Sequence, residues 1–154
     1  MSSNNKTFEM LHELAQRKLD DAGKAVGATE ASITQARKQL EMLSGYKADY
    51  LQKLQARLQE GMNSTQYINF QNFITTLDEA LIQQHGMITQ LEKQAEQERA
   101  QWLEMRRETK SINSLIERNY RQQLIHSNRQ EQKMNDEFAA RAYRAQQLAR
   151  NRSR

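Results

Sequence analysis

The sequence predicts an all-α fold, a long antiparallel two-helix coiled-coil hairpin, rod-shaped, with an overhanging C-terminal helix. Three observations predict it. Apolar residues recur at steps of three and four over residues 8–58 and again over 74–116, the signature of a helical seam. Only one stretch between the two seams, Gln59-Glu60-Gly61-Met62-Asn63-Ser64-Thr65-Gln66, carries turn chemistry. The 154 residues include no Pro, are only 37% hydrophobic and have a mean hydropathy of −0.98. That is too polar for a thick core but suits the narrow stripe of a two-helix seam, and the lack of Pro suits long unbroken helices.

The first seam reads Phe8, Leu11, Ala15, Leu19, Ala22, Val26, Thr29, Ile33, Ala36, Leu40, Leu43, Lys47, Tyr50, Leu54 and Leu58, apolar everywhere except Thr29 and Lys47. Successive steps of four at Leu11-Ala15-Leu19 and Tyr50-Leu54-Leu58 read as stutters that locally unwind a supercoil. Gly23 and Gly27 each weaken the helix by about 1 kcal/mol relative to Ala, which predicts local flexibility without a break. The first helix is expected at about 6–59.

The turn is expected at about 60–65. Gly61 can take the left-handed conformation that ends a helix, and Asn63 with Gln66 resembles a capping box, with Ser64 and Thr65 as alternative caps. The second helix is expected at about 66–148. Its seam is Ile74, Leu77, Leu81, Gln84, Ile88, Leu91, Ala95, Glu98, Trp102, Met105, Thr109, Ile112 and Ile116. The same register continues into Asn119, Gln123, His126, Gln130, Lys133 and Glu137, none of them apolar, so the seam is expected to stop near Ile116. Folding the chain about Gly61-Met62 brings Ile33 to Leu91, Leu40 to Gln84 or His85, and Phe8 to Ile116. Trp102 then faces Ala22-Gly23, the largest side chain against the smallest.

The whole of 1–154 therefore reads as one coiled-coil domain in which residues 117–154 overhang. Leu124, Ile125, Phe138 and Tyr143 are candidates for partner contact there. After Phe138 come Arg141, Arg144, Arg150, Arg152 and Arg154 and no acidic residue. A helix with nothing to pack on is marginal in water, so this basic overhang is expected to fray and to order fully on a partner.

Several function classes drop out. Zero Cys removes disulfides and cysteine metal sites. The N-terminal residues lack the apolar run of a signal peptide, and no stretch is long and apolar enough to span a membrane. There is no glycine-rich phosphate loop, no GxSxG and no HExxH. His12, His85 and His126 fall far apart in the hairpin, so neither a metal nor a cofactor is expected, and a rod without a cleft is not expected to be an enzyme. The net charge of +4 leaves acidic proteins, nucleic acid and anionic lipid open as partners.

A second apolar stripe supplies the stronger functional signal. On the first helix Gln39, Leu43, Tyr46 and Tyr50 step by four, three, four; on the second, Phe73, Leu77, Ala80 and Gln84 do the same. Each set is offset from the seam and shares residues with it. In the hairpin both lie near the turn, side by side. This extra apolar width either broadens the seam, with Tyr hydroxyls reaching water, or is covered by another molecule.

The run Ile68-Asn69-Phe70-Gln71-Asn72-Phe73-Ile74-Thr75-Thr76-Leu77-Asp78-Glu79-Ala80 resembles the central signature of the FliJ family of bacterial flagellar export proteins. Leu19-Asp20-Asp21-Ala22, Leu40-Glu41-Met42-Leu43 with Tyr46 and Tyr50, and Lys133-Met134-Asn135-Asp136-Glu137-Phe138-Ala139-Ala140-Arg141-Ala142 support it, in order, across nearly the whole chain. The resemblance implies a cytoplasmic, non-enzymatic component of the flagellar type III export apparatus, peripheral to the inner membrane at the flagellar base. It implies an antiparallel coiled coil similar to the γ subunit of rotary ATP synthases. The partners it implies are the hexameric export ATPase, the large membrane subunit of the export gate, and the escort chaperones of late substrates. The gate-binding surface of the family maps onto Gln39, Leu43, Tyr46, Tyr50, Phe73, Leu77, Ala80 and Gln84. One departure is visible: the family's histidine at the last of these positions is Gln84 here, with His85 one residue on. In this reading the tail, through Phe138, Arg141, Arg144 and Arg150, meets the ATPase. No direct nucleic-acid contact is expected, and membrane association is indirect, through protein partners. The alternative from another class is a generic coiled-coil scaffold or nucleic-acid-associated adaptor that works through its basic tail.

Overall fold

A computed structural model describes residues 2–154. The chain forms two helices, α1 at Ser2–Glu60 and α2 at Ser64–Arg152, which pack against each other as an all-α helical hairpin. Both helices run past their apolar stripes, because neither Pro nor an internal cap interrupts them. Gly61 sits at φ 97°, a left-handed conformation that an L side chain strains to adopt, and it ends α1. Asn63 is the cap chosen among the three candidates. Its side-chain oxygen accepts from the Gln66 backbone N–H at 2.9 Å, and its carbonyl accepts from Tyr67 N–H at 3.2 Å.

The residues gather into two compact units, Ala15–Arg107 in one and the residues up to Leu14 with Glu108–Arg154 in the other. In Ala15–Arg107 the buried residues are Ala15, Ile33, Ala36, Leu54, Leu77, Ile88 and Ala95, with Thr29 among them. All are positions of the two predicted seams. The core is thin, and among the described residues no large side chain is fully buried. Trp102 packs where the register placed it: its Nε1 and Cδ1 lie 3.5 and 3.6 Å from the point a Gly23 Cβ would occupy. A polar layer crosses the seam at Thr29 and Glu98. The Thr29 hydroxyl donates to Glu98 Oε2 at 2.7 Å, and Gln94 Nε2 donates to Glu98 Oε1 at 2.8 Å, so this half-buried carboxylate keeps hydrogen-bond partners.

Three ion pairs cross between the helices of this unit: Arg37–Glu92 at 3.0 Å, Arg99–Glu30 and Lys47–Asp78. Arg37–Glu92 and Arg99–Glu30 are largely solvated, so each stabilises by about 0–1 kcal/mol, whereas Lys47 and Asp78 are half-buried.

In the other unit Phe8, His12, Ile112, Ile116, Asn119 and Gln123 are half-buried. Two expectations are corrected here. Leu11 is 43% exposed, and His12 takes the inward position in its place. The inward positions therefore step Phe8-His12-Ala15-Leu19 by four, three and four, so the stutter expected at Leu11-Ala15-Leu19 is absent and the more apolar neighbour is left outside. The pairing also continues beyond Ile116 as a polar layer, since Asn5 Oδ1 accepts from Asn119 Nδ2 at 3.3 Å and from Gln123 Nε2 at 3.1 Å. From residue 124 to residue 154 every position is exposed, and α2 nonetheless continues unbroken to Arg152.

Candidate partner-binding surfaces

The second stripe lies wholly within Ala15–Arg107, and the structure divides it into anchors and exposed groups. Leu77 is only 7% exposed and belongs to the core. Leu43, Tyr50, Ala80 and Gln84 are half-buried. Gln84 Nε2 donates to the Ala36 carbonyl at 2.9 Å and to Gln39 Oε1 at 3.2 Å, so Gln84 and Gln39 are tied together across the two helices. Tyr46 and Phe73 stand out, 55% and 44% exposed.

Phe73 is not isolated. The Tyr50 ring packs on it at 4.4 Å between centroids and on Phe70 at 4.8 Å, both tilted. The Arg57 guanidinium lies 5.6 Å over the Phe70 ring. Tyr50 thus buttresses both phenylalanines and holds Phe73 in a fixed orientation. Phe70, half-buried, extends the second seam by one step of four before Ile74, where the expected seam began.

The tail presents different chemistry. Phe138 is 76% exposed, and Arg141, Arg144 and Arg150 are exposed along the same helix. Gln147 Nε2 donates to Tyr143 Oη at 2.9 Å and Ser153 Oγ to the Arg150 carbonyl at 3.0 Å, both contacts between residues of the tail itself. A 380 Å³ groove lies elsewhere, over Ile33 and Ala95 between the Glu30–Arg99 and Arg37–Glu92 pairs, and ion pairing already occupies its charged groups. Among the described residues no three His, Asp or Glu side chains gather as a metal site would require, and no helix is long and apolar enough to cross a membrane.

The family model described as Flagellar FliJ protein matches residues 4–148. The Flagellar FliJ protein of Salmonella typhi is 34% identical over 135 residues, covering 88% of this chain and 92% of the relative. That of Escherichia coli (strain K12) is 33% identical over 132 residues, covering 86% and 90%. The chain belongs to the FliJ family and is a component of flagellar protein export.

Proposed function

We propose that this chain is a non-enzymatic coiled-coil adaptor that couples the export ATPase ring to the export gate and escorts export chaperones. The observation that carries this reading is the pair Tyr46 and Phe73, exposed beside a buttressing ring cluster. Rigid, half-exposed aromatics on a two-helix scaffold are the composition of an interface hot spot. Gln39, Leu43, Tyr50, Leu77, Ala80 and Gln84 support them from the seam side, so the gate's large membrane subunit is met by Tyr46 and Phe73 and oriented by the rest.

The tail serves the ATPase. At about 100° per residue, Arg141 and Arg144 lie about 60° apart on one side of α2, and Arg150 lies on the opposite side. A flat acidic partner would engage only some of them, whereas one that surrounds the helix engages all. Residues 139–154 contain no acid to compete with such a partner. Phe138 adds the apolar contact. The protein works on the cytoplasmic side at the flagellar base, reaching the membrane only through its protein partners.

Deleting residues 138–154 tests the assignment of roles. The truncated chain is expected to bind the gate's cytoplasmic part as the intact chain does, and to lose stimulation of ATP hydrolysis by the export ATPase. Stimulation equal to that of the intact chain would show that the tail is not the ATPase contact. A steep loss of DNA affinity with salt, seen only when the tail is present, would favour the scaffold reading instead.

A further inference from the structure

Charge is unevenly placed along the exposed overhang. Residues 124–139 carry the acids Glu131, Asp136 and Glu137 beside Arg129 and Lys133, while residues 140–154 carry five Arg and no acid. Glu137 and Arg141 stand four apart, a spacing that lets a helix pair them internally, yet among the described residues no ion pair involves any charge of 124–154. Size is unevenly placed as well. On a helix turning about 100° per residue, Met134, Phe138, Ala142, Ala145 and Ala149 fall within about 80° of one another. The large members, Met134 and Phe138, are 70% and 76% exposed and lie at one end of this stripe; the alanines lie at the other.

Both gradients, acid to base and large to small, reverse near residue 140. A face of that kind is complementary to its own copy turned end for end, which is what a two-fold interface requires. We infer that two copies of this chain pair antiparallel through residues 128–152, about a two-fold axis at Ala140. Residues face each other when their numbers sum to about 280. Phe138 then meets Ala142 of the second copy, and Met134 meets Ala145, large against small as at Trp102 and Gly23. Glu137 and Arg144 lie within about 20° of one another on one flank of the stripe, and an antiparallel coiled coil joins like flanks, so Glu137 meets Arg144 of the second copy. Glu131 meets Arg150 from the other flank. The two-fold axis makes each contact twice. A parallel pairing would instead set the five Arg beside their own copies.

The register is also sterically open. Arg152, where α2 ends, faces Asn128, so the second helix stops short of the Asn5–Gln123 layer and does not meet α1. The paired stretch is roughly 36 Å long at about 1.5 Å per residue. Its seam is rich in alanine and buries little area, so the dimer is weak and depends on concentration. Pairing covers Phe138 and Arg144, so a chain in the dimer cannot also offer this face to the ATPase.

Sedimentation equilibrium of the full-length chain at low salt, from micromolar to millimolar concentration, tests the pairing. The intact chain is expected to dimerise and the chain lacking residues 138–154 to stay monomeric. Glu137→Arg and Arg144→Glu should each weaken the dimer by about tenfold, because the symmetry makes each reversal act twice; both together in one chain should restore it to within about threefold. Melting of the hairpin should not change, since these residues are exposed. Cross-linking reads the direction. The chain has no Cys, so Met134→Cys and Ala145→Cys chains can be treated with a short bis-maleimide, and covalent dimers are expected from the mixture but few from either alone. An intact chain that stays monomeric at every concentration would overturn the inference. A dimer that survives the truncation or ignores the single reversals would overturn it by placing the interface elsewhere. Single losses that the double reversal fails to rescue, or cross-linking of each Cys variant with itself as readily as with the other, would overturn it equally.

Discussion

Three glycines in different settings give the sharpest test of the packing. Gly in a helix interior is about 1 kcal/mol less favourable than Ala. At Gly27 a Cβ would meet nothing within 4 Å, so Gly27→Ala keeps the whole gain. At Gly23 the new methyl would sit 3.5 and 3.6 Å from the Trp102 indole, ordinary van der Waals contact, so Gly23→Ala keeps the same gain and adds a few dispersion contacts of about 0.1–0.2 kcal/mol each. Each substitution should stabilise by about 1 kcal/mol and raise Tm by about 2–4 °C for a chain of this size. Gly61→Ala also has open space, yet φ 97° makes it destabilising by about 1–2 kcal/mol. Thermal and urea unfolding followed by far-UV circular dichroism would measure all three. A fall in Tm for Gly23→Ala beside a rise for Gly27→Ala would mean that the indole presses closer than ordinary contact, and the Gly23–Trp102 register would be wrong.

Further predictions come from the same contacts. Trp102→Ala should destabilise by about 2–3 kcal/mol, less than the roughly 3–5 kcal/mol of a fully buried ring, because the indole is only half-buried; a near-neutral effect on unfolding would place it on the surface. Thr29→Val removes the hydroxyl from Glu98 and should cost about 1 kcal/mol in urea unfolding, a loss that Glu98→Gln in the same background should shrink, since a neutral amide tolerates the missing donor better. Arg99→Ala, in a solvated pair, should change stability by no more than about 1 kcal/mol, and less at high salt. Amide hydrogens of residues 124–152 should exchange faster than those of residues 88–105, because the former are exposed throughout while the latter flank buried Ile88 and Ala95.

The seam was largely legible in the sequence because a coiled coil writes its packing as a period. From Ala15 to Leu54 and from Ile74 to Ile116 every seam position is buried or half-buried. The failures sit where apolarity and geometry part. Leu11 was favoured over His12 because it is more apolar, yet the local phase turns His12 inward, leaving its Nδ1 buried without a hydrogen-bond partner. Leu58 keeps the period but is 49% exposed, only two residues before α1 ends at Glu60. The Asn5, Asn119 and Gln123 layer was missed because polar rungs carry no hydrophobic signal. The stripe of Tyr46 and Phe73 could be located from spacing, but its division into core Leu77 and exposed Tyr46 required the structure.

The central claim is that Tyr46 and its neighbours exist for a partner and not for the fold. Tyr46→Ala, measured for thermal unfolding and for affinity to the gate's cytoplasmic part in parallel, tests it most directly. Tyr46 is 55% exposed, so its truncation should leave Tm within about 2 °C of the intact chain, consistent with the small effects typical of surface substitutions. Gate binding should weaken by about 1–3 kcal/mol and motility should fall with it, while stimulation of the export ATPase persists. A large drop in Tm with unchanged gate affinity would contradict the account, making Tyr46 part of a broadened seam and the stripe a feature of folding.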